Sequence, residues 1–230
     1  MKTNEDFSQR VVVHSESMEW ESSPMPGVER RPLDRVGDEV ARATTIVRYA
    51  PESEFSSHIH QGGEEILVLD GIFQDEHGDY TKGSYIRNPP QSAHKPGSEN
   101  GCVIFVKLWQ FQPNDRKHIR LQTALMATTT HPSSSDVSVT HLHKDAFEEV
   151  CILYFHPNGE ITIPASSGAE LLLLEGALTE QADTLVKHSW LRSPINSVLR
   201  LKAGTEGAQA WLKRGHLTDV GNQISRLNNA

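Results

Sequence analysis

His58-Ile59-His60-Gln61-Gly62-Gly63-Glu64-Glu65-Ile66-Leu67-Val68-Leu69-Asp70-Gly71 is the stretch from which the rest of the chain is read. Its second half, EEILVLDG, is a run of β-prone apolar residues closed by an acidic-Gly turn, and it predicts a strand. Its first half places two histidines at i and i+2, so on an extended backbone both imidazoles leave the same face toward one point. Glu64 lies four residues beyond His60 and closes on that point if Gly62-Gly63 bends the strand. Further on, Gly83, Pro89 and the run Pro-Pro-Gln-Ser-Ala-His94 add a third imidazole. Three neutral imidazoles and one carboxylate form a borderline N/O donor set that suits Zn, Fe, Mn, Co or Ni, and no thiolate takes part.

An HxH triplet alone is a weak signal in a chain with 12 histidines, and a second one stands at His141-Leu142-His143. The longer string, HxHxxxE followed by Gly71, Gly83, Pro89 and His94, is far more specific. His58, His60, Glu64 and Gly71 resemble the first conserved motif of the cupins. Gly83, Pro89 and His94 resemble the second, with Gln91 where the family usually has Gly. The run from Gly62 to Gly97 followed by GCVIFVKLWQ is similar to the ChrR-type zinc-binding cupin domain of anti-sigma factors. The resemblance implies small antiparallel jelly-roll (double-stranded β-helix) barrels with one metal held inside by His58, His60, Glu64 and His94. It makes zinc the expected ion, one per chain, with Fe, Mn, Ni and Co accepted by the same donors.

Composition sets limits that agree with this. At 230 residues the chain suits one large or two small domains. Short apolar runs recur between Gly, Pro, Ser and Thr, which favours all-β over helical. A net charge of -8 argues against a general nucleic-acid or anionic-membrane surface. Neither a signal peptide nor an 18-residue apolar span is visible, and the expected location is the cytoplasm. Cys102 and Cys151 are the two cysteines and lie in separate apolar runs, which reads as buried free thiols.

Compared with itself at an offset of 105 residues, the chain aligns without a gap across a stretch running from about Tyr49 to Pro89. Tyr49 meets Tyr154, Gly63 meets Gly168, Glu65 meets Glu170, Gly71 meets Gly176, Arg87 meets Arg192 and Pro89 meets Pro194. The expected architecture is two tandem cupin barrels. A tail spans 1–20, the metal-binding domain 21–111, a second and degenerate domain 112–222, and a polar tail 223–230. Residues 128–140, rich in Ser and Thr, read as a loop or linker before the second barrel, with Val137 and Val139 as an alternative strand start. At the same offset His58 falls on Ile163, His60 on Ala165, Glu64 on Ala169 and His94 on Leu199. A cation there would lose its hydration with no compensating ligands, so the second barrel is expected to be metal-free.

Other residues carry weaker readings. His141, His143 and Glu148 fall on Val36, Asp38 and Ala43, upstream of the motif strand, and read as a solvated loop. His131, His156, His188 and His216 read as surface residues, and His77 as part of a hairpin turn. Trp109 and Tyr85 are candidates for the mouth of the metal barrel, while Arg48 and Arg87 are expected to face solvent.

Two functions follow. The first is a zinc-binding regulatory or sensor protein of the ChrR type, with a sigma factor as partner. That partner is not supported by a Cys-containing N-terminal zinc segment, because about twenty cysteine-free residues precede the first barrel. The second is a non-haem metal-dependent dioxygenase acting on a small chelating substrate such as a β-diketone. No catalytic side chain is assigned, and a homodimer and a small-molecule ligand are both compatible with the pattern.

Overall fold

The computed structural model describes residues 2–38 and 40–228. Strands dominate, with one short α-helix at Val220–Leu227. The chain divides into two compact units, one formed by Met1–Glu5, Glu19–Leu125 and Gly221–Ala230, the other by Asp6–Met18 and Met126–Val220.

In the first unit, the antiparallel order runs from Val28–Gly37 through Ala41–Tyr49, Cys102–Leu108, Glu64–Asp75 and Ser84–Asn88 to Ile119–Gln122. His58–His60 and Ser92–His94 form a separate two-stranded ribbon. The apolar face buries Val28, Val47, Ile66, Val68, Phe73, Ile86, Ile104 and Val106. At about 1.5–3 kcal/mol for each fully buried aliphatic or Phe side chain, this face is a principal stabilising term. Gly71 at the end of EEILVLDG sits at φ 69°, and a Cβ there would lie 2.2 Å from the Gly101 carbonyl oxygen. Only glycine fits such a backbone-on-backbone approach.

The second unit repeats these registers. His58 pairs with His94 and His60 with Ser92, as Ile163 pairs with Leu199 and Ala165 with Ser197. Glu65 pairs with Arg87 as Glu170 pairs with Arg192. Gly176 sits at φ 77°, against the Gly207 carbonyl, as Gly71 does against Gly101. The ungapped offset fails outside that central window. Tyr49 faces Cys102, which faces Gly71, whereas Phe155, not Tyr154, faces Ala208, which faces Gly176. Strand pairing therefore moves the correspondence by one residue on these two strands, which sequence identity at a fixed offset does not register.

Several boundaries differ from the sequence reading, each because a backbone ladder recruits the segment. Lys2–Thr3 pairs with Val36 and Arg35, and Val11–His14 pairs with Ser189–Ser193, so 1–20 is not a free tail. Ile119–Gln122 pairs with Ser84–Asn88, which carries the first unit to Leu125 instead of 111. Thr129–His131 and Ser134–Lys144 are paired strands, so the strand allowed from Val137 and Val139 begins at Ser134 and the stretch before it is not a free linker. Gln223, expected in a polar tail, lies on the helix Val220–Leu227 and accepts a hydrogen bond from Arg42 Nε at 2.8 Å.

Candidate metal centre

The ribbon of His58–His60 against Ser92–His94 builds the site. Direct pairing of His58 with His94 puts two imidazoles side by side on one face, and the i, i+2 relation adds His60 to that face. The ring centroids stand 4.8 Å apart for His58–His60, 4.6 Å for His60–His94 and 5.5 Å for His58–His94. Gly62-Gly63 then turns the chain so that Glu64, the first residue of Glu64–Asp75, reaches the same point. A Cβ at Gly62 would lie 2.2 Å from the Trp109 ring, and one at Gly63 would lie 2.5 Å from the Phe111 ring. The bend is thus seated directly on two aromatic side chains.

Glu64 Oε2 lies 3.3 Å from His94 Nε2 and 3.5 Å from His60 Nε2. One ligand atom from each of the four residues falls within 4.8 Å of all the others. Bonds of about 2.1 Å to a central ion require donors roughly 3–4 Å apart, so small side-chain shifts complete the shell. Two observations show that the residues fit an ion. The buried Nε2 atoms of His60 and His94 have no hydrogen-bond partner among the described residues. On His94 and His58 the opposite ring nitrogen is engaged. His94 Nδ1 lies 3.1 Å from Asp75 Oδ2, and His58 Nδ1 lies 3.0 Å from the Ser56 carbonyl oxygen, which fixes the rings with Nε2 inward. Asn88 Nδ2 donates to Glu64 Oε2 at 3.2 Å. A His₃Glu cluster able to hold a divalent metal ion is the result.

The electrostatics are those of a ligand set waiting to exchange protons for metal. Burial alone would raise the Glu64 carboxyl, but the His60 and His94 imidazoles and the Asn88 amide outweigh it and bring it down to about 2. Burial would lower His94, yet the Asp75 carboxylate at Nδ1 and the Glu64 carboxylate beside Nε2 hold it at about 9. His60 is pushed down by burial, against the pull of Glu64.

A cavity of about 430 Å³ opens on this cluster. His58, His60 and Glu64 form part of its wall, and Val47, Phe55, Ile104, Val106, Leu108 and Trp109 make most of the rest apolar. In the second unit the four corresponding positions, Ile163, Ala165, Ala169 and Leu199, are buried members of one hydrophobic core.

Among the described residues, the four-ligand cluster is the one group of this kind. The second HxH triplet does not form another. A register shift between His141 and His143 sets His141 opposite Cys151 and His143 opposite Val150, so the two rings leave opposite faces of the strand. His141 is exposed and meets Glu149 at 3.1 Å, while His143 is buried beside Asp145 at 3.2 Å, so the loop reading is replaced by a bulged strand. His216 is also buried, 2.9 Å from Glu170, and not on the surface. Arg87, expected in solvent, is 1% exposed between Glu65 and Asp115 and stacks over Phe111. Arg48 is half-buried, paired with Glu29 and placed over Trp20. Of the two aromatic candidates, Trp109 lines the cavity, whereas Tyr85 is fully buried and donates to Glu65 at 2.6 Å.

Residues 8–112 match the family model described as the ChrR cupin-like domain. Over that stretch the chain is similar to the ChrR-type cupins, and the solved structures it resembles have the cupin fold. Solved structures share the fold over most of its length. A Nostoc punctiforme protein named as a candidate dioxygenase has a TM-score of 0.74 at 18% identity, covering 91% of this chain and 84% of its own. Escherichia coli protein YlbA gives 0.71 at 11% identity, covering 91% and 92%. The E. coli bacterial pirin YhhW, solved in complex with nickel(II), gives 0.65 at 9%, covering 90% and 99%. Among curated proteins no sequence match was found. No described helix of this chain is long and apolar enough to cross a membrane.

Sequence reasoning missed the residues around the ligands. Asp75 and Asn88 orient the donors through contacts distant in sequence, and Ser56 through its backbone carbonyl two residues before His58, so no side-chain motif marks them. Arg30 and Arg35, which also line the cavity, lie upstream of the motif.

Proposed function

We propose that this chain is a non-haem metal-dependent dioxygenase acting on a small chelating substrate such as a β-diketone. The observation that carries this reading is the 430 Å³ cavity whose wall includes three of the four ligands. A closed structural site surrounds its ion with protein donors, whereas a catalytic one keeps an approach for substrate. A redox-active first-row ion on these donors would supply Lewis acidity and electron exchange with O₂.

The chain's own residues perform the remaining tasks. Asp75 and the Ser56 carbonyl fix the planes of His94 and His58. Val47, Ile104, Val106 and Leu108 give the reacting end of a substrate a dry wall, and Trp109 bounds it next to Gly62. The test is anaerobic reconstitution with Fe(II) followed by oxygen-electrode measurements with β-diketones. Substrate-dependent O₂ uptake is expected; fully loaded protein that consumes none across such a series defeats the reading.

A second reading, a zinc-dependent regulator with a protein partner such as a sigma factor, is supported by the family match over residues 8–112. It requires zinc in untreated protein and a sigma factor recovered with the zinc-loaded chain. Recovery of none counts against it.

A further inference from the structure

Two arginines face the cavity from the strand Val28–Gly37, and a backbone irregularity is what brings both there. Arg30 pairs with Val47 on the neighbouring strand, and Arg35 pairs with Ala43. Five residues apart, they would leave opposite faces of a regular strand. The register shift between Pro32 and Asp34 inserts one residue, reverses the alternation and returns Arg35 to the face of Arg30. Both line the cavity that also carries His58, His60 and Glu64.

Their partners are neutral. Arg30 donates to the Ser23 hydroxyl and Arg35 to the Asp38 carbonyl oxygen. Among the described residues neither guanidinium is within ion-pair distance of a carboxylate, and both are half-buried. Burial first, and then the neighbouring Arg30 charge, press Arg35 below its ordinary range, against a weaker opposing pull from Asp38. Two like charges beside an apolar wall are stabilised by an anion between them, and a guanidinium matches a carboxylate in shape as well as charge.

Position along the sheet sets the shape of that anion. Glu64 faces Leu108, Leu108 faces Ala43 and Ala43 faces Arg35, so one rung joins ligand to arginine. Three strand spacings of about 4.8 Å separate the two ends, less the reach of the side chains into the cavity. Resting on the open-centre reading above, we propose that the cavity takes a small carboxylic acid bound at both ends, its chelating group on the metal and its carboxylate between Arg30 and Arg35, with an apolar body along Val47, Val106 and Leu108.

Matched probes test this. 4,6-Dioxoheptanoate carries a β-diketone and a terminal carboxylate, and heptane-2,4-dione replaces the carboxylate with methyl. Homologues of each pair lengthened by one to four methylenes cover the span. Each is titrated into nickel-loaded protein under nitrogen, following the ligand-field absorption. At one chain length or more, the carboxylate should bind at least tenfold tighter than its methyl partner. That advantage should fall below twofold in the Arg30→Gln/Arg35→Gln variant, with metal content and methyl-probe affinity unchanged, and Arg35→Lys should retain part of it. Equal binding of both members at every length, or an advantage that survives the double variant, overturns the proposal and leaves the open centre standing. If no probe perturbs the absorption of fully loaded protein, the open centre fails and the proposal falls with it.

Discussion

At the scale of single residues, the site depends on side chains that hold the ligands as much as on the ligands. The Asp75 side chain is shielded from solvent, fixes His94 through Nδ1 and also accepts from the Tyr80 hydroxyl at 3.1 Å. Asp75→Asn should weaken metal binding about 10–100-fold, the usual effect of losing such a partner, while the protein still folds; metal-competition titration reads it. His94 held at about 9 and Glu64 at about 2 also give a pH signature in protein stripped of metal. For His94 the folded value lies above the unfolded one, so its contribution to stability is complete below about 6.5 and is lost as pH rises through 9. For Glu64 the folded value is depressed, so its contribution is present above about 4.5 and is lost as pH falls toward 2. Melting temperature of the stripped protein should therefore peak between about pH 4.5 and 6.5 and decline toward 9. Metal must displace the His94 proton, so apparent affinity should rise with pH up to about 9, with about one proton released at neutral pH. An affinity independent of pH between 6 and 9 would contradict this.

Elements show what the sequence made legible and what it hid. EEILVLDG and its counterpart AELLLLEG were readable as strands because their apolar residues are β-prone and end in a glycine that no Cβ can replace. The i, i+2 rule placed His58 and His60 correctly because that ribbon is regular. The rule gave no hint of Arg35, because a bulge inverts the face and leaves no local mark in composition, and a bulge likewise parts His141 from His143 on a segment that read as a loop. Asp75 was hidden for another reason: its partner is 19 residues away, across a hairpin. Gly63 and Gly168 offer a paired test of how an element positions a ligand. Both have φ near 77°, and an added Cβ would strike Phe111 at 2.5 Å and Leu217 at 2.6 Å respectively. Gly63→Ala and Gly168→Ala should each destabilise by about 1–3 kcal/mol or more from backbone strain and crowding. Only Gly63→Ala should also weaken metal binding, because it precedes Glu64. Replacing His141 and His143 with alanine should leave metal content unchanged.

For the whole molecule, the same registers serve two different interiors. In the first unit the positions of Ile163, Ala165, Ala169 and Leu199 are taken by the four candidate ligands, beside a cavity. In the second they complete a hydrophobic core in which all four are at most 1% exposed. Candidate ligands in the first unit and aliphatic groups in the second satisfy the same backbone, so the capacity to hold a metal rests on the side chains at these four positions. Elemental analysis of protein purified without chelator, set beside His60→Ala and His94→Ala, tests this most directly. The account predicts one divalent ion per chain in the parent and none held stoichiometrically by either variant. Two ions per chain, or an unchanged ion content in both variants, would contradict it.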